Sequence, residues 1–247
     1  MTPPTLEHRL AARSRGVPSP AMYQRWSHLL FLHWQWDPDD LRRRLPPGLH
    51  LDTHEGTAWL GIVPFFMDKV RPRFLPPLPW FSWFMELNVR TYVHDHRGVP
   101  GVWFFSLECN QPLAVRVARK FFHLPYHDAR MKSTRPAAGS IRYECLRHRT
   151  AHKSAPFAYQ IHSHSEPRIA EPGTLDFFLV ERYVLFSNSP RGLRSGYVHH
   201  APYPLSAVTV ESHCTAPLAW NDFPLPARPP DHITASPGVD VRIGRLE

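Results

Sequence analysis

The stretch Phe84–His94 alternates cleanly, with Leu87, Val89, Thr91 and Val93 on one side and Glu86, Asn88, Arg90 and Tyr92 on the other. Successive side chains of a strand point to opposite faces, so this period of two commits the segment to β structure. Asp95–Gly98 follows with turn chemistry, and Val102–Cys109 is a second apolar strand. The pair predicts an antiparallel hairpin. Periodicity alone leaves the polar side with an ordinary reading. A half-buried antiparallel strand shows such a face to solvent, and Glu86 and Arg90 can pair with each other.

The rest of the chain is also punctuated into short strands. Met22–His28 leads into the apolar run Leu29–Trp36. Asp37 and Pro38 then sit as N-cap and first residue of a short helix, Leu41–Leu45, which Pro46-Pro47-Gly48 stops. Leu49–Asp52 and Thr57–Phe66 read as strands around a turn at His54–Gly56. Pro72–Pro79 is too rich in proline for a helix or a central strand and reads as a surface loop, either a lid or a rigid connector. Asn110 is expected to cap a helix over Gln111–Leu124, and Thr174 one over Leu175–Arg182. Further strands are expected at Ser140–His148, Phe157–His162, Tyr183–Ser187, Ser206–Ser212 and Val239–Ile243. The predicted class is mainly β, a β-rich α+β chain whose many short strands form a barrel or a strongly curved sheet. A loose arm over residues 1–21 precedes a single domain over residues 22–247.

Composition narrows the function. With 43% hydrophobic and 13% aromatic residues, the chain can build a core. The +8 charge comes almost wholly from arginine, since Lys69, Lys120, Lys132 and Lys153 are the lysines. These arginines are scattered, with no basic helix or aromatic-basic motif for nucleic acid. The three cysteines are far apart, and Met1–Ser19 lacks an apolar signal core, so a cytoplasmic protein is expected. No apolar stretch is long enough to cross a bilayer. Glycine-rich nucleotide loops, HExxH and GxSxG are absent. His94 with His96, His162 with His164, and the pair His199-His200 suggest metal chelation, but no third ligand accompanies them. Neither a metal nor a cofactor is expected.

Longer motifs carry a resemblance. Glu86–Val93, Pro100–Leu107, Ala118-Arg119 and Leu124-Pro125-Tyr126 are similar to the YqjF-like family, an uncharacterised domain family numbered 2071. Leu29–Trp34, Leu45–Leu49, Ala58–Phe65, Glu181-Arg182-Tyr183 and His200–Leu205 fit the same pattern, so the likeness runs from about residue 22 to 245. That family belongs to the acetoacetate-decarboxylase-like superfamily. The resemblance implies a closed or cone-like antiparallel β-barrel with a few short helices and a central polar pocket. It turns the polar face of Phe84–His94 inward. Decarboxylases of the superfamily use a lysine to form an imine with a keto acid. Here Tyr126 and His127 stand where the lysine pair would be, and Lys120 and Lys132 are poor substitutes.

The resemblance therefore implies a pocket for a small anionic or carbonyl-containing compound, without an imine-forming lysine. Glu86, Arg90 and Tyr126 are the expected catalytic residues: an acid–base group, an oxyanion clamp and a hydrogen-bond donor. His33, Asn88, Tyr92, Trp103, Arg119, His127, Glu181 and His200 are expected around the substrate. Dehydration, isomerisation, cyclisation and aldol-type steps all fit, placing the chain among lyases or isomerases. A non-catalytic module that only binds a small ligand is the alternative. The chain is also compatible with a homo-oligomer, and Leu75–Trp83 with a protein-contact surface. Neither nucleic acid nor membrane is an expected partner.

Overall fold

Among the described residues, 3–150, 153–162 and 166–247 of a computed structural model, strands dominate. The chain runs α1 (Leu6–Ser14), β1 (Met22–Trp36), α2 (Pro38–Arg44), β2 (His50–Leu51), β3 (Ala58–Pro72), β4 (Phe84–His94) and β5 (Pro100–Cys109). Then come α3 (Pro112–Val117), which continues as a π-helical turn over Ala118–Phe122, β6 (Tyr126–Thr134), β7 (Ser140–Arg147) and β8 (Ala155–Ile161). The last part holds α4 (Leu175–Val180), β9 (Val184–Ser189), β10 (Gly192–His200), β11 (Val208–Ser212), α5 (Ala216–Ala219) and β12 (His232–Leu246).

Strands β1, β3, β4, β5, β9, β10 and β12 close into a barrel in that order, β12 pairing back onto β1. The expected barrel is present, with one necessary departure from antiparallel pairing. Each antiparallel pair reverses strand direction, and a trip around a closed ring must restore it. Antiparallel pairings must therefore be even in number, so a ring with an odd number of strands needs a parallel seam. That seam is β5 against β9, with Val102 opposite Leu185 and Trp103 opposite Phe186.

Gly101 makes the seam possible. A Cβ there would lie 2.6 Å from the Val184 carbonyl oxygen and 2.7 Å from the Phe186 ring. Because the nearest obstacle is backbone, relief requires the seam itself to open. Gly101→Ala is expected to cost about 1–3 kcal/mol, the usual range for overpacking. Denaturant unfolding measures this, and an unchanged midpoint would show that the seam yields freely.

From β5 the sheet also continues through β6, β7, β8 and β11. This second layer covers the outside of the barrel. Leu30, Leu32 and Trp34 of β1, Leu60 and Ile62 of β3, and Leu87 and Val89 of β4 pack against Met131, Ile141, Tyr143, Phe157 and Tyr159. Both faces of β4 are thereby buried along its whole length. Its apolar side meets the second sheet and its polar side faces the barrel interior, so the solvent-exposed reading of the polar face is ruled out.

The hairpin β4–β5 and helix α2, with Asp37 as its cap and Pro38 leading it, match expectation. Pro72–Pro79 is indeed irregular once β3 ends. Several local expectations change. Residues 1–21 include helix α1, capped by Thr5 and docked by Arg9 on Asp52 and by Arg15 on Tyr197. The Asn110-capped helix begins instead with Gln111 as its cap, because the Asn110 side chain accepts from the Met85 amide across the hairpin. That helix breaks into a π turn and stops at His123, whose φ of 49° is left-handed. Helix α4 ends at Val180, which frees Glu181 and Arg182. Strands β6 and β10 and helix α5 had no counterpart in the pattern reading. Of the paired histidines, His164 lies outside the described residues.

Candidate functional site

The barrel encloses a cavity of about 130 Å³. A space near 150 Å³ takes a molecule of roughly benzene size. Most of its wall is apolar, including Leu29, Val63, Phe65, Leu107 and Leu185. Residues from the β3–β4 loop (Phe81) and from α3 and its π turn (Ala114, Phe122) complete the wall. Among the polar groups that interrupt it are Glu86, Asn88, Arg90, Tyr126 and Arg182.

Glu86 stands on the inward face of β4. Tyr126 opens β6, which runs parallel to β5 with Leu107 opposite Tyr126, and its hydroxyl donates to Glu86 Oε2 at 2.8 Å. Burial pushes the Glu86 carboxyl up to about 8, and Glu108, on the neighbouring strand, adds to the rise. The Tyr126 bond opposes this but does not offset it. At neutral pH the group is therefore a buried carboxylic acid able to give up a proton. Tyr126 itself is held far above the usual phenol range by burial and by the adjacent Glu86.

Glu86 and Arg90 do not pair, although they share a face. Arg90 turns toward α4, where its Nη2 donates to the Leu179 carbonyl at 2.9 Å and to the Tyr92 hydroxyl at 3.3 Å. Its Nε is buried without a partner among the described residues, and so is Asn88 Oδ1. Arg182 supplies a second guanidinium. Its Nε donates to Phe178 O and its Nη1 to Asp52 Oδ2 at 2.8 Å, while Nη2 has no partner among the described residues. Burial brings Arg182 down to about 10, which keeps it charged at neutral pH, and Asp52 limits the fall. Burial would raise Asp52, but Arg182 and Arg9 outweigh it and hold the carboxyl below its usual range. Buried N–H groups without partners are costly, and both of these belong to residues that line the one cavity.

A polar chain runs behind Arg90. The Tyr92 hydroxyl lies 2.7 Å from His33 Nε2 and donates to Leu179 O at 2.8 Å. His33 Nδ1 is 3.4 Å from His232 Nδ1, and His232 Nε2 is 2.7 Å from Asp176. Burial holds His33 well below its ordinary value, with His232 and Arg90 adding to the effect, so it is a neutral imidazole. Gly61 on β3 leaves room for this ring, since a Cβ there would come within 2.8 Å of His33 Cδ2.

The structure brings Glu86, Asn88, Arg90 and Tyr126 into one cavity and sets Tyr92 and His33 directly behind Arg90. Glu181 and His200 form an adjoining buried layer. Glu181 accepts from the Tyr183 hydroxyl and from the Tyr203 amide, while His200 stacks on Tyr183. Burial brings His200 down to about 4. The other three expected residues lie elsewhere. Trp103 packs outside the barrel beside Val184 and Phe186, because β5 alternates and Val102 takes the inward position. Arg119 is half-exposed, donating to Tyr126 O and lying 3.8 Å from Asp128. His127 points away from the cavity, as the strand neighbour of an inward Tyr126 must, and burial and Arg147 bring it down to about 4.

Arg182 and Asp52 were missed by sequence reasoning. The signal for Arg182 was present in the motif Glu181-Arg182-Tyr183, but a helix drawn through it hid its inward direction. Asp52 had no local signal. The cation it meets is far along the chain, and only barrel closure brings the two together. All four lysines are exposed and none lines the cavity. Among the described residues no cluster of three or more metal-ligating side chains occurs.

The arrangement matches known proteins at two levels. Residues 23–240 fit the model of DUF2071, described as an uncharacterized conserved protein family. The uncharacterized protein YqjF of Bacillus subtilis (strain 168) is 41% identical over 190 residues, 77% of each chain. Among solved structures, acetoacetate decarboxylase from Legionella pneumophila superposes with a TM-score of 0.61 at 15% identity, covering 94% of this chain and 89% of the decarboxylase. The enduracididine biosynthesis enzyme MppR, complexed with pyruvate, gives 0.53 at 13% identity, covering 94% and 90%. At such identities the structural likeness establishes the fold alone, whereas the sequence match runs through the strands that build the cavity: the chain belongs to the DUF2071 family and carries the acetoacetate-decarboxylase-like fold.

Proposed function

We propose that the barrel cavity binds a small carboxylate or carbonyl compound and performs acid–base chemistry on it. One observation carries this reading. A carboxylic acid that stays protonated to about pH 8 shares a small apolar cavity with two guanidiniums that each keep an N–H unpaired among the described residues. Arg90 and Arg182 would hold an anionic oxygen of the ligand. Glu86 would give a proton to a carbonyl or departing hydroxyl oxygen and recover one from carbon or water. Tyr126, through its bond to Oε2, positions the acid. Dehydration, isomerisation, cyclisation and aldol-type steps all use this pairing of an acid with an oxyanion clamp. The pyruvate in the MppR complex supports a ligand of this size and charge.

In this reading the mechanism does without an imine, which is supported by all four lysines being exposed and none lining the cavity. Incubation with pyruvate and borohydride, followed by mass spectrometry, tests that point. Covalent attachment at Lys120 or Lys132 would refute it. To test the acid, 2-oxo and hydroxy acids are screened by NMR for product, and Glu86→Gln is compared on any compound turned over. The expected loss in kcat is about 10²–10⁴-fold, with KM little changed. Full activity in the variant would overturn the assignment. The same exposure of the lysines favours a second reading, a barrel that binds without turnover. Thermal stabilisation by a ligand that yields no product would select it.

A further inference from the structure

We infer that the apolar lip beside the cavity is a docking surface for an anionic lipid bilayer. The β3–β4 loop and the α3–π turn segment each present two sets of apolar side chains. One set, Phe81, Ala114 and Phe122, lines the cavity. The other points to solvent, with Phe74 87%, Trp80 72% and Phe121 63% exposed, and Leu75, Leu78 and Leu113 also exposed. The two segments are joined, since Gln111 Nε2 donates to Trp80 O at 3.1 Å. A monomer in water rarely leaves so many large apolar groups together at the surface without a use for them.

Charge identifies the partner. Residues 71–83 and 111–127 carry Arg71, Arg73, Arg116, Arg119 and Lys120 and no Asp or Glu, the nearest acid in sequence being Asp128, which partners Arg119 and leaves the other four cations. Two of the cations lie against the exposed rings, Arg73 over Phe74 and Lys120 beside Phe121. A symmetric contact between two copies would set this patch against itself, cation facing cation. An anionic bilayer instead offers apolar depth to the rings and negative headgroups to the flanking cations, and Trp is a side chain that settles at that interface. The absence of a spanning segment, on which the expectation of no membrane partner rested, does not bear on a surface contact. Docking would seat the cavity's wall segments on the bilayer. It stands independently of the chemistry assigned to Glu86.

The test is co-sedimentation of the full chain with vesicles of phosphatidylglycerol mixed with phosphatidylcholine, alongside vesicles of phosphatidylcholine alone. Binding is expected to the anionic vesicles, with a blue shift of tryptophan emission, and to weaken as salt rises. The double variant F74E/W80E should reduce binding by about tenfold or more, and R73E/K120E should reduce it and its salt dependence. Near-UV circular dichroism checks that both variants remain folded. No sedimentation with anionic vesicles, undiminished binding by F74E/W80E, or a lipid-free dimer that these substitutions dissolve would each overturn the proposal. Loss of vesicle binding would leave the Glu86 assignment intact, because that is read on soluble substrates.

Discussion

Glu86→Gln is expected to be more stable than the parent protein above neutral pH, and the gap should widen as pH rises toward 8. The carboxyl is raised in the folded state to about 8 from an ordinary value of 4.5. Between those values the folded protein holds a proton that the unfolded chain releases. A raised acid therefore contributes stability that is full below the unfolded pKa and is lost as pH climbs through the folded one. The limiting slope is about 1.4 kcal/mol per pH unit for one group. His33 and His200 act in the opposite sense, being depressed, so their contribution is present above the ordinary histidine value and is lost in acid. The cleanest window is thus about pH 7.5 to 8, a full unit above the ordinary histidine value, where the depressed histidines are neutral in the fold and nearly so in the unfolded chain. Glutamine keeps an acceptor for the Tyr126 hydroxyl and carries no charge at any pH. The difference in unfolding free energy between parent and variant, followed by urea titration, isolates Glu86 from other titrating groups. Parallel pH profiles would mean that Glu86 is ionised in the fold, and the general-acid role would fall with it.

Asp52→Ala should be among the most damaging single changes in the molecule. Asp52 lies just past β2 and its carboxylate is fully buried between Arg9 of α1 and Arg182 at the cavity. Removing it strands the Arg182 charge inside the barrel, and breaking such a pair on one side costs about 3–5 kcal/mol. Arg182→Met in the Asp52→Ala background should recover part of that loss by removing the stranded charge. Recovery is the diagnostic step, because simple loss of packing would make the double variant worse. The same substitution unties Arg9, which lies over the Phe178 ring, so amide exchange in Leu6–Ser14 should speed up. An unfolding midpoint equal to the parent's would contradict the network.

Much of the architecture was legible because it depends on neighbours in sequence. The period of two over Phe84–His94, the turn at Asp95–Gly98 and the Asp37-Pro38 helix start are local, and each stands where its pattern placed it. Errors appear where a distant partner decides. Asn110 looks like a helix cap, but the Met85 amide across the hairpin takes its side chain. Tyr126 and His127 look alike as candidates, yet β6 begins at Tyr126 and the alternation sends only that residue inward. Trp103 fails for the same reason on β5, where Val102 holds the inward place.

The strand Phe84–His94 shows the division most clearly. Its sequence determined that Glu86, Asn88 and Arg90 share one side, because strand geometry allows nothing else. It could not say whether that side meets water or a cavity. Closing the β5–β9 seam decided this, and laying the second sheet over Leu87 and Val89 buried the other face as well. Burial, and not residue type, makes Glu86 an acid near neutral pH. Arg182, contributed from beyond α4, brings a second guanidinium to the cavity wall that already carries Arg90. Chemistry-bearing residues are written locally, but the dielectric around them and the charges opposite them are set by contacts between segments far apart in the chain.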